Sequence, residues 1–406
     1  MTDDRAVAGE TPAGATVAQG ASGWGLAAVC VGIAASVIPG FLLGSLFVTM
    51  GPELGYDEAT SGMLVAAFFS ASAFLSAPLG RWVDRRGPAV CLRLALACSA
   101  ALQFAIAGLG RSVASIAALA LAAGAANSLN QLAANVWIAR FVPARRQGIA
   151  FAAKQSSMPA AALVAGFSLP VLVERFGWES AFVTGAGLAI LALVLLGGLA
   201  DERHGFASSA VEHPSSDRPE RVALGALAVA AALSAAAAVT LGSFYVNSAV
   251  DVGFSPGTAG TLLAVGSAIS IASRLIAGGL ADRRDGTLLG IVAGMLALGA
   301  VSYLMLAGRQ PWTHVLALPL AFGAGWAWPG VFNLSVVRAH QDRPGRATGI
   351  TQSGTYVGAS VGPLIFGVIA EEWSYSAGWV VAAVVAAGAA AAVMVARAFL
   401  ERRVPG

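Results

Sequence analysis

The sequence predicts an all-α integral membrane protein of twelve transmembrane helices, built as two similar six-helix halves. Three observations predict it. Only 11% of the chain is charged while 57% is apolar, against roughly 25% charged in soluble domains, so too few charges exist to cover a water-facing surface. The apolar residues fall in stretches of about 20, the length that crosses roughly 30 Å of hydrocarbon. Finally, the chain repeats itself at an offset of 198 residues. Inside lipid only helices and closed barrels satisfy their own backbone, and these Ala/Leu/Val/Gly runs lack the period-two alternation of barrel strands.

In chain order, residues 1–22 are small and polar with no signal-peptide pattern and read as a disordered cytoplasmic tail. The spans expected in the N-terminal half (23–200) are 24–48, 60–79, 89–109, 114–138, 148–171 and 179–199. Residues 201–221, rich in Asp, Glu, Arg, Ser, Pro and His, form the extended polar linker between halves. The second half (222–398) holds spans 222–246, 258–277, 287–307, 314–337, 347–369 and 377–397, before a short tail, 399–406. Arginines crowd the loops and ends on the N-terminal side, whereas the opposite loops keep Arg111, Arg175 and Arg309. The positive-inside rule therefore puts both termini in the cytoplasm. Cys30, Cys91 and Cys98 all lie in apolar stretches, which argues against a disulfide framework.

The repeat is specific. Leu43-Gly44-Ser45 matches Leu241-Gly242-Ser243, Gly62 matches Gly260, and Asp84-Arg85-Arg86 matches Asp282-Arg283-Arg284. At an offset of 197, Gln155-Ser156 matches Gln352-Ser353 and Glu174 matches Glu371. Duplicated halves of this kind place a solute site at their interface, near the bilayer midplane.

Between helices 2 and 3 runs Gly80-Arg81-Trp82-Val83-Asp84-Arg85-Arg86-Gly87, echoed between helices 8 and 9 by Gly278-Gly279-Leu280-Ala281-Asp282-Arg283-Arg284. This pair resembles the signature cytoplasmic loop of the major facilitator superfamily, and the resemblance covers essentially the whole chain. It implies the major facilitator fold. It also implies an inward-side latch built on Gly80, Asp84, Arg85, Arg86, Gly278, Asp282 and Arg283. The plainer alternative is that these arginines only anchor topology.

Ionisable groups inside a bilayer are expensive and hence functional candidates. Lys154, in helix 5, is the only lysine of the chain, and Arg274 lies in helix 8 one turn before Gly278. Either side chain could snorkel to the interface; the functional reading is that both coordinate an anion. The spacing of Arg274, Gly278 and Asp282 resembles helix 8 of monocarboxylate and oxalate transporters, which implies that the arginine binds a carboxylate. The Lys154-Gln155 pair is similar to the cyanate-permease-like group. Nitrate/nitrite porters carry a second arginine on helix 2, where this chain has Ser76, so that identity is disfavoured.

All acidic residues fall in tails, loops or helix ends. Glu174, Glu371 and His314 are expected to cap or face solvent rather than carry protons, so proton coupling stays open. Asn127, Gln131 and Asn135 share a face of helix 4 beside Asn130, explained equally by solute contact or interhelical hydrogen bonding. Gln155, Tyr245, Asn333, Gln352 and Tyr356 are further cavity candidates, and Trp326, Trp328 and Pro329 predict a bend in helix 10. The four histidines show no metal spacing and no nucleophile–base pair is visible. The expectation is a monomeric multi-pass protein of the cell membrane, without cofactor, metal, enzymatic activity or nucleic-acid partner. Its task would be secondary active or facilitative transport of a small organic anion, a carboxylate, by alternating access. The alternative is a multidrug or neutral-metabolite exporter of the same fold.

Overall fold

A computed structural model describes residues 14–197, 218–281, 288–340 and 344–401. Among the described residues, twelve helices are long and apolar enough to cross a membrane. Helices 1 to 6 are Gly23–Ser45, Glu58–Leu75, Pro88–Leu109, Val113–Ile138, Ile149–Phe176 and Glu179–Leu196. Helices 7 to 12 are Glu220–Asp251, Pro256–Ala281, Leu289–Leu306, Pro311–Ala339, Ala347–Glu372 and Tyr375–Glu401. An even number of spans puts the first and last on one face, called here the terminal face; the opposite one is the far face.

The helix ends follow from local chemistry. Helix 2 starts where the Asp57 carboxylate accepts the Thr60 backbone N–H at 2.8 Å, and it continues past its apolar span to Arg86. Gly87 stops it at φ +84°, a conformation L side chains rarely adopt, and Pro88 opens helix 3 at no cost because a first-turn N–H is unbonded anyway. Ser112 and Ser115 form a reciprocal cap on helix 4. Two boundaries differ from the sequence reading. The helix containing span 1 begins at Gly14, inside the stretch read as tail, and the one containing span 7 begins at Arg218, inside the stretch read as linker. Pro219 in the first turn and Glu220 beside the helix N-terminus both favour that earlier start.

Packing divides the molecule by depth. Toward the terminal face each half keeps its own apolar core, one around Val29, Leu92, Ala133 and Ile138, the other around Leu227, Val292, Phe332 and Val393. Toward the far face a single core runs through both halves, from Phe41, Phe68 and Phe182 to Tyr245, Phe322 and Trp379. Lipid tails are as apolar as leucine, so helices associate there by close contact of small residues rather than by expelling water. The seam shows that directly. A methyl group on Gly62 of helix 2 would sit 2.5 Å from the Pro363 carbonyl oxygen of helix 11, and one on Gly260 of helix 8 would strike the Gly166 carbonyl of helix 5. Residues 62 and 260 are equivalent in the repeat, as are 166 and 363, so this is one contact made twice. Between them Gly44 abuts Ser243, the Ser45 hydroxyl donates to the Gly242 carbonyl at 3.4 Å, and the Asn247 amide donates to the Gly44 carbonyl at 3.1 Å.

Candidate functional site

On the terminal side of this seal, between the halves, lies a cavity of about 80 Å³. Helix 4 contributes Asn127 and Gln131, helix 5 Lys154 and Gln155, helix 8 Arg274, helix 10 Asn333, and helix 11 Gln352 and Tyr356. Eight of the nine solute-binding candidates therefore converge on one space. Trp326, Trp328, Phe69 and Met158 supply its apolar walls. The ninth, Tyr245, does not join them. It lies six residues beyond Val239, the last helix 7 lining residue toward the far face, and is wholly buried with its hydroxyl donating to the His314 carbonyl at 3.2 Å. His314 is likewise not at a solvated helix start: it is fully buried, its Nε2 lies 2.9 Å from the Ser248 hydroxyl, and that oxygen also accepts the Trp379 indole N–H at 2.7 Å.

Among the described residues, no Asp or Glu lines the cavity. Lys154 is only 7% exposed, and its ammonium has neither hydrogen-bond nor ion-pair partner among the described residues; the Cys30 thiol of helix 1 lies within electrostatic reach of it. Such a charge, withdrawn from water and left without a counter-charge, is costly.

Arg274 stands differently. At 4% exposure it donates from Nη1 to the Gln155 carbonyl and from Nη2 to the Trp326 carbonyl, both at 2.5 Å, with its guanidinium 5.9 Å from the centre of the Trp326 ring. Its Nε alone has no partner among the described residues. Behind helix 4, Asn130 donates to the Ser36 hydroxyl, which donates to the Asn127 side-chain oxygen, each at 3.0 Å. Asn130 thus braces helix 4 against helix 1, and Asn127 reaches the cavity already held. Ser36 went unnoticed in sequence because a lone serine in an apolar helix carries no pattern.

Of the latch residues, Gly80 has open space around it, a methyl on Gly278 would rest in ordinary contact with Ala152 at 3.7 Å, and Arg85 and Arg86 are exposed. The Asp84 side chain, Asp282 and Arg283 lie outside the described residues.

The Major Facilitator Superfamily family model matches residues 25–363. The chain belongs to the major facilitator superfamily. It is accordingly a multi-pass membrane transporter working by alternating access, not an enzyme. No curated protein matches the sequence. Among solved structures, the fold is similar to a bacterial homolog to the human lysosomal transporter Spinster in its inward-facing, unoccupied conformation. There the TM-score is 0.73 at 15% identity, covering 98% of this chain and 100% of that one. The same homolog, inward-facing and occupied, aligns with a TM-score of 0.66 at 15% identity over 97% of each chain.

Proposed function

We propose that the protein carries a small organic anion, a carboxylate, held between the halves near Lys154 and Arg274, as a secondary active or facilitative transporter. One observation carries this reading: a buried ammonium without a counter-charge, lining a cavity between the halves that no carboxylate lines. A positive, partly desolvated pocket repels cations and rewards anions, because charges interact more strongly at low dielectric. Amide groups of Asn127, Gln131, Gln155, Asn333 and Gln352 supply neutral hydrogen bonds around it. The size agrees: one water needs about 10–15 Å³ of such space, so the cavity suits a solute of a few heavy atoms. Export of cationic drugs would call for an acidic lining residue, which the described cavity lacks. Without such a carboxylate, proton coupling falls to the solute's own ionisation, or the protein works by exchange or uniport.

At the terminal face, read as cytoplasmic, Gly80, Asp84, Arg85 and Arg86 with Gly278, Asp282 and Arg283 form the latch that closes when the halves rock. The test is flux into proteoliposomes with a panel of small carboxylates, neutral solutes and a lipophilic cation. Anion flux lost in Lys154→Ala supports the reading; anion flux equal to wild type, or a preference for the cation, overturns it.

A further inference from the structure

We infer that Arg274 is a bolt between the two halves, and that a proline in helix 5 and the break in helix 10 make the sockets it enters. The inference rests on reading the cavity as an anion site centred on Lys154, but it assigns the two cations different work.

Inside an α-helix every carbonyl is normally spent on the N–H four residues ahead. Residue 159, four after Gln155, is proline and has no N–H to give. The Gln155 carbonyl of helix 5 is therefore unspent, and Arg274 Nη1 takes it at 2.5 Å. Helix 10 passes through a wide turn at Ala321–Gly325 and resumes regular helix only at Pro329. The Trp326 carbonyl falls in that gap, and Arg274 Nη2 takes it at 2.5 Å. One guanidinium thus satisfies a freed carbonyl from each half, and the planar fork is what lets a single side chain do both.

Both terminal nitrogens of Arg274 are engaged by the frame, while the Lys154 ammonium, one residue before Gln155, has no partner among the described residues. Lys154 holds the solute's charge; Arg274 holds helix 5 of one half to helices 8 and 10 of the other. The bolt is also releasable. A carboxylate at Lys154 offers the guanidinium an opposite charge and two acceptor oxygens in place of two neutral carbonyls. Drawing Arg274 off its carbonyls frees the halves to move when the site is filled.

The experiment uses the full-length transporter in nanodiscs, with Cys30, Cys91 and Cys98 replaced by serine and spin labels at Val90→Cys and Leu280→Cys, exposed positions in opposite halves. Distances are measured with no solute present, in Arg274→Ala, Pro159→Ala, the double variant and Lys154→Ala. Pro159→Ala keeps the guanidinium but returns the N–H that competes for Gln155, so it reads the bolt even where Arg274→Ala fails to fold. The expected result is the same shift in distance distribution for both single variants, no further shift in the double, and the parent distribution in Lys154→Ala. Parent distributions in both Arg274→Ala and Pro159→Ala, or additive shifts in the double, overturn the bolt. Flux separates the two ideas: if Lys154→Ala still carries anions, the anion site fails, whereas the bolt stands or falls on distance alone.

Discussion

Lys154 and Arg274 are both cations buried beside one cavity, yet their surroundings divide them. An ammonium with no protein partner is stabilised only by what enters the cavity. Lys154→Gln should therefore lower small-anion affinity at least tenfold, roughly 1.4 kcal/mol, while Lys154→Arg restores part of it; titration of anion-dependent quenching of Trp326 and Trp328 fluorescence measures both. Equal affinity in Lys154→Gln would remove the lysine from the site. Asp57 matters for another reason. The Thr60 hydroxyl, and then its backbone N–H, hold the Asp57 carboxyl below the usual range. A depressed carboxyl contributes stability above its ordinary pKa, near 4, and loses it as pH falls through the lowered value. Asp57→Ala should cost about 1 kcal/mol, seen as a lower melting temperature at neutral pH, and the difference from wild type should vanish in strong acid.

At the scale of helices, the sequence made most of the fold legible because the bilayer leaves so few options. Spans, duplication and loop positions all follow from the backbone's need for internal hydrogen bonds. Eight cavity residues were legible for a related reason: polar side chains in apolar helices must turn inward. Tyr245 was misplaced because polarity reports facing but not depth, and on helix 7 it sits above the cavity within the shared core. The sockets of Arg274 were illegible for a deeper reason. They are backbone carbonyls, which have no letter in the sequence, and only the absence of an N–H at Pro159 marks one of them. The packing of helix 8 on helix 5 gives a further test. Gly260→Val would drive a side chain into the Gly166 carbonyl. It should shift the protein toward a state open at the far face, raising labelling there by impermeant maleimides; unchanged labelling would mean the contact is slack.

For the whole molecule, the repeat places two carboxylates where they matter only while the far face is shut. Glu371 accepts the backbone N–H of Glu58, the first residue of helix 2, at 3.2 Å. Its repeat partner Glu174 stands against Gly257, at the start of helix 8. Each half thus sets a carboxyl group at the start of a helix from the other, although Glu371 also faces the Glu58 carboxyl and Glu174 stands alone in the role. An interaction of this kind contributes about 0.3–1 kcal/mol, so Glu174→Gln should shift the equilibrium toward far-side opening by roughly two- to fivefold. Accessibility of a cysteine placed in the cavity, probed from each side of the membrane, reads that shift. No change would show that the Glu174 cap adds nothing to closure.

The doubled contact of Gly62 with Pro363 and Gly166 with Gly260 has a kinetic meaning as well. Two flanks fastened by the same kind of close backbone contact must both part when the far side opens. Weakening one flank leaves the other clasped and turns a symmetric rocking motion into a one-sided swing. A leak across the bilayer would then require both clasps to fail, and the duplication that built the fold also serves as its insurance against uncoupled flow.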